Sequence, residues 1–148
     1  MEYSPILAPV VALVAWTLFM QIWLYATRIP AMRRHGISVQ GKRGDHPGNL
    51  DGVLEDKVQW KSHNYAHLME QPTIFYAIAL TLSLMNLGHG INLWLAWGYV
   101  GLRVVHSLIQ ATVNIILYRF LVFTLASLCL LGLTVHAGAR ILHDCGII

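Results

Sequence analysis

ILAPVVALVAWTLFMQIWLYA, residues 6–26, contains one strongly polar side chain, Gln21. A helix needs roughly 20 mostly apolar residues to cross about 30 Å of hydrocarbon, and this run meets that length. Lipid cannot satisfy backbone N–H and C=O groups, so a crossing segment of this kind must be helical. Pro5 and Pro9 stand at its start, where proline is tolerated because the first turn has N–H groups to spare. The run exceeds the apolar core of a signal peptide, and Glu2 stands where a basic n-region would be. It reads as a retained first helix over 5–27.

The rest of the chain continues the pattern. Of 148 residues, 56% are hydrophobic and 11% are charged, against about a quarter charged in ordinary soluble domains. That is too little charge to cover a water-facing surface. The next apolar run, Pro72 to Leu87, is short, yet a helix can extend back through Trp60 to Glu70. One helix is therefore expected over 53–87, its first turns above the membrane. Asp51 could cap it, and Glu55 and Asp56 suit its first turns. Gly88-His89-Gly90 marks a tight turn. A third helix is expected over 91–112, a break near Asn114, and a fourth helix over 115–138. The fold class is an all-α membrane protein, a bundle of four transmembrane helices in a single domain spanning 1–148. A polar loop over 28–61, turn-like from Gly41 to Gly52, joins the first two helices.

Seven of the ten Lys and Arg residues lie in that loop, and the 88–90 turn and the N-terminal tail have none. The positive-inside bias then puts the loop in the cytoplasm and both termini outside. The formal charge of +3 is concentrated there. It speaks for orientation and not for a nucleic-acid partner. Trp23, Tyr25 and Trp60 suit the inner interface, Trp94 and Trp97 the outer one. Cys129 lies inside an apolar run, where a thiol packs as a small hydrophobe. With Cys145 it forms no CxxC pair, so no disulfide framework is implied.

Ionisable residues inside spans are costly and are functional candidates. They are His67, Glu70, Arg103 and His106, with Arg119 near the membrane edge. The topology brings all five to the cytoplasmic half of one bundle. Asn64, His67 and Glu70 are spaced by three, His63 and His67 by four, and such residues share a helix face. Arg103, His106 and Gln110 form a second stripe on the third helix. Both stripes are expected to face protein. Bland readings stand beside the functional one. Glu70 and Arg103 could form a structural ion pair between helices, Arg119 could snorkel to the interface, and His106 could hydrogen-bond a neighbouring helix. His63, His67 and Glu70 also invite a metal reading. They lack the HExxH arrangement and any supporting cysteine, and no metal is expected.

The run Asn64-Tyr65-Ala66-His67-Leu68-Met69-Glu70-Gln71-Pro72, followed by Phe75, resembles the second-helix signature of the MAPEG family, membrane-associated proteins of eicosanoid and glutathione metabolism. Arg103-Val104-Val105-His106-Ser107 resembles the family's third-helix motif, and Tyr118-Arg119-Phe120 the start of its fourth helix. The likeness covers nearly the whole chain and is to the bacterial branch, which implies the bacterial inner membrane. It implies a homotrimer with sites between protomers, open to the cytoplasmic face. It implies a glutathione S-transferase or peroxidase that takes glutathione as co-substrate, acts on hydrophobic small molecules and has membrane lipid around it. Arg119 falls at the position of the thiolate-stabilising arginine. Glutathione contacts would fall on Arg28, His63, Asn64, His67, Glu70, Arg103, His106, Gln110 and Tyr118, with Glu70 meeting the amine. Three positions depart from the family pattern. His67 replaces a common asparagine, Ser62 and His63 stand where an arginine is common, and Gln110 replaces a tyrosine. The family also includes a non-enzymatic lipid-binding type, which is the alternative reading.

Overall fold

The computed structural model describes residues 3–38 and 50–146. They contain five helices, α1 (Leu7–Arg34), α2 (Asp56–Leu68), α3 (Gln71–Leu84), α4 (Ile91–Thr112) and α5 (Ile116–Asp144). Residues 41–49 of the turn-like stretch lie outside the described residues.

α1 has 28 residues, about 42 Å at 1.5 Å per residue, and it runs past the expected end at 27. Arg28, Arg33 and Arg34 are therefore helical, and the connection begins at His35. Hydropathy marks where lipid ends, not where a helix ends. Arg33 and Arg34 in the last turn also complement the helix dipole. α5 likewise passes its expected end at 138 and reaches Asp144, with Arg140 Nε donating to Asp144 Oδ2 at 3.0 Å one turn away. α1 and α5 are the two described helices long and apolar enough to cross a membrane.

The single helix expected over 53–87 is two helices. Pro72 has no N–H, and in a continuous helix its ring would press on the carbonyl of Leu68. The chain breaks at Met69-Glu70, where Glu70 leaves helical geometry at φ −91°, ψ −92°, and α3 restarts with proline in its first turn. At the other end, α2 begins at Asp56, later than expected. Asp51 does not cap it; its carboxylate accepts from Gln59 Nε2 instead.

α4 and α5 form a closely packed antiparallel pair. A Cβ placed on Gly132 would lie 3.1 Å from Leu95 Cδ1, so glycine is what lets these helices approach. Their turn is made by Asn114, at φ 52°, whose N–H returns to the Ile109 carbonyl at 2.7 Å. Asparagine is among the few residues that take the left-handed conformation closing a helix. The same device ends α3. Asn86 has φ 56°, and Leu87 N–H bonds back to Leu82 O at 2.9 Å. α1, α3, α4 and α5 share one core, in which Phe75 and Tyr99 stack with ring centroids 4.5 Å apart and Leu13, Leu82, Ala96 and Leu133 close around them. α2 packs outside that core, against α1 and α4.

Candidate functional site

The α2–α3 break places the site. In an unbroken helix the His67 carbonyl would accept the N–H of Gln71. The break leaves that carbonyl without its helical donor. Arg103 reaches across from α4 and donates Nη2 to it at 2.8 Å. A fully buried guanidinium thus closes the C-terminal end of α2, where both an orphan carbonyl and the helix dipole favour a cation. The other face of Arg103 lies 5.8 Å from the centre of the Phe123 ring on α5, a cation–π distance. Its Nε and Nη1 are buried without a hydrogen-bond partner among the described residues. Buried donors are seldom left so.

Glu70 is not the partner of Arg103, which corrects the expected interhelical ion pair. The break turns its side chain outward, 69% exposed, and its Oε2 accepts from His67 Nδ1 at 2.9 Å. His67 is the hub of the site. Its ring centre lies 5.1 Å from that of His106 and 5.3 Å from that of Phe123, nearly stacked on the latter. His106 itself is buried on α4.

Arg119 completes the group from α5. It donates Nη1 to Asn114 Oδ1 at 2.6 Å, so the left-handed turn residue also orients the guanidinium. Its Nε is buried and unpartnered. Arg119, His67 and His106 line one cavity of about 420 Å³ with Ile116, Phe120 and Phe123. One wall is cationic and imidazole, the other aromatic and aliphatic. Such a cavity suits an anionic group beside an apolar one.

The remaining candidates lie elsewhere. Asn64 is fully buried and donates to Ser107 Oγ at 2.7 Å, tying α2 to α4. Gln110 is buried one turn beyond His106, and its Oε1 has no partner. Arg28 donates Nη1 to Ser62 Oγ at 3.0 Å, which ties α1 to α2. His63 bonds Asp51 at 3.1 Å, so His63 and His67 serve different carboxylates and do not converge. Among the described residues no group of three His, Cys, Asp or Glu side chains is placed to hold a metal ion. Tyr118 is turned outward and 54% exposed. Phe120, Phe123 and Asn114 belong to the site but were not among its expected residues. Phe123 follows Arg119 by one turn, and that spacing is the signal that could have found it.

The model of the MAPEG family matches residues 6–139. No curated protein and no solved structure matches the chain.

Proposed function

The chain belongs to the MAPEG family, and on that premise we propose that it is a glutathione-dependent transferase or peroxidase acting on hydrophobic electrophiles, with Arg119 as the residue that holds the thiolate. The protein is a membrane protein of a family concerned with glutathione and eicosanoid metabolism. The proposal adds four crossings per protomer, α2–α3 and α4 joining α1 and α5, and assembly as a homotrimer. It adds an orientation with both termini outside and the α2 end of the bundle at the cytoplasmic face of a bacterial inner membrane.

The observation that carries the reading is the shared cavity of Arg119, His67 and His106 with its apolar opposite wall. A thiol such as that of glutathione is weakly ionised at neutral pH. A nearby opposite charge favours the ionised form, and a guanidinium keeps its charge in a partly dry site. The thiolate then attacks an electrophile that has dissolved in the bilayer, over the Phe120 and Phe123 wall. Arg103 is fully buried and does not line this cavity, so its part in the reading is to hold the α2 end that carries His67. Glu70 meets the amine with whichever carboxylate oxygen His67 leaves open.

The test is calorimetric binding of glutathione to the purified protein, together with conjugation of an aryl halide, for the wild type and Arg119→Ala. Glutathione is expected to bind both proteins, with turnover cut about 100-fold in the variant. Absence of glutathione binding, or equal turnover by both, contradicts the proposal.

A second reading, a non-enzymatic lipid-binding protein, is favoured by one feature. An apolar groove of about 630 Å³ runs between α1 and α4, walled by Trp16, Phe19, Trp97 and Val104. This reading expects an acyl lipid to co-purify and glutathione to leave the melting temperature unchanged. A ligand that binds only the folded state must raise it.

A further inference from the structure

We infer that His67 and Glu70 form a proton-accepting dyad, in which the His67 ring takes the thiol proton while Arg119 holds the sulfur anion. The inference rests on the glutathione reading above and adds to it the destination of the proton.

The geometry has three parts. First, the Glu70 carboxylate faces His67 Nδ1 at 2.9 Å. An ionised carboxylate can only accept, so Nδ1 carries the hydrogen, and in the neutral ring Nε2 keeps its lone pair. A carboxylate so placed fixes the tautomer and stabilises the imidazolium once a proton has arrived. Second, the ring is held rigidly. It lies on Phe123 and beside His106, and Arg103 pins the carbonyl of the same residue. Third, His67 lines the same cavity as Arg119, so base and anion-holding cation face one volume.

The charged and titratable groups around His67 come from the α2–α3 break, α4 and α5. Glu70 stands at the break, Arg103 and His106 come from α4, and Arg119 comes from α5. His106 is buried and makes no contact with a carboxylate among the described residues, so of the two imidazoles at this cavity His67 is the one with the orienting partner a base needs.

The S–H bond breaks, its electron pair stays on sulfur, and the proton goes to His67 Nε2. The product is an imidazolium–thiolate pair beside Arg119. When the thiolate displaces halide from an aryl halide, the C–S bond forms, the halide leaves as an anion, and the imidazolium returns its proton to water.

This differs measurably from a site where an arginine acts alone. There, forming the bound thiolate releases a proton to solvent. Here the proton stays on His67. Calorimetry of glutathione binding in two buffers of different ionisation enthalpy counts the protons released, and ultraviolet absorbance reports the thiolate. S-methylglutathione, which has no thiol, is the control for binding alone. The wild type is expected to form thiolate with almost no net proton release. His67→Asn is expected to release about one proton per thiolate formed, with its own S-methylglutathione titration as the binding baseline. A wild type that releases about one proton per thiolate overturns the dyad whatever the variant does. A wild type that binds glutathione purely as the thiol also overturns it. Equal release by both proteins overturns the dyad and leaves the glutathione reading standing. Failure of both compounds to bind removes that reading, and the dyad with it.

Discussion

Arg103 and Arg119 carry the same charge and have different tasks. Arg103 is fully buried and bonded to the backbone of α2, so its first effect is on the fold. Arg103→Met would leave the His67 carbonyl without a donor. It should lower unfolding stability by about 2 kcal/mol, the scale of a hydrogen bond to a charged group. Chemical unfolding in detergent micelles measures this, and an unchanged midpoint would show that the α2 end is closed some other way. Arg119 meets the cavity and, among the described residues, hydrogen-bonds a turn residue alone. Arg119→Ala should leave the unfolding midpoint near wild type and cut conjugation about 100-fold, as removal of one preorganised stabiliser of an anion does. Steady-state rates at saturating glutathione decide it. A variant that loses stability and activity together would mean Arg119 is structural.

At the scale of elements, the break between α2 and α3 decides where Glu70 points. Pro72→Ala restores an N–H and removes the ring that forces the break. The two helices should then tend to join, the Gln71 N–H should compete with Arg103 for the His67 carbonyl, and glutathione affinity should fall. Hydrogen exchange at Gln71 reads the first effect. Unchanged exchange there would locate the cause of the break elsewhere. Gly88 shows how the ends of elements are seated. A Cβ there would lie 2.7 Å from Ile6 Cγ2 and closer still to Ser4 Oγ. Gly88→Val should destabilise by about 1–3 kcal/mol, as overpacking does. The elements were legible where hydropathy and turn chemistry act together. Residues 91–112 end where expected because Asn114 supplies the left-handed residue that stops α4. The ends of α1 and α5 were not legible, because a helix leaving lipid for water keeps its backbone bonds and only its side-chain chemistry changes. The α2–α3 break was signalled by Pro72, which the continuous-helix reading passed over. The site was legible as a set of polar residues in apolar runs, and His67, His106 and Arg119 do meet. Its pairings were not. Spacing of three along a helix put Glu70 beside His67, but a kink of two residues decides whether the carboxylate turns toward Arg103 or away. The aromatic wall had only the one-turn spacing of Phe123 from Arg119 to signal it, since Phe120 and Phe123 otherwise look like lipid-facing residues until α5 is packed against α4.

At the scale of the molecule, α5 presents a nearly continuous apolar outer face from Ile116 through Leu121, Leu128 and Val135, and α1 does the same with Val11, Leu18 and Ile22. Lipid, and neighbouring protomers in the proposed homotrimer, can cover such faces. The orientation has a native reporter in Cys145, an exposed free thiol near the C-terminal end, while Cys129 is partly buried. A membrane-impermeant maleimide applied from outside to intact cells should label Cys145. Labelling only after the cells are opened would contradict the proposed topology. The proposed glutathione site lies at one place in the molecule, the join of α2, α4 and α5 where a cationic wall faces an aromatic one. The most direct measurement is an experimental structure of the assembled protein with glutathione bound. The sulfur is predicted to sit between the Arg119 guanidinium and the His67 ring, against Phe123. A sulfur found in the groove of Trp16 and Trp97, or glutathione absent from the join at saturating concentration, would contradict the account.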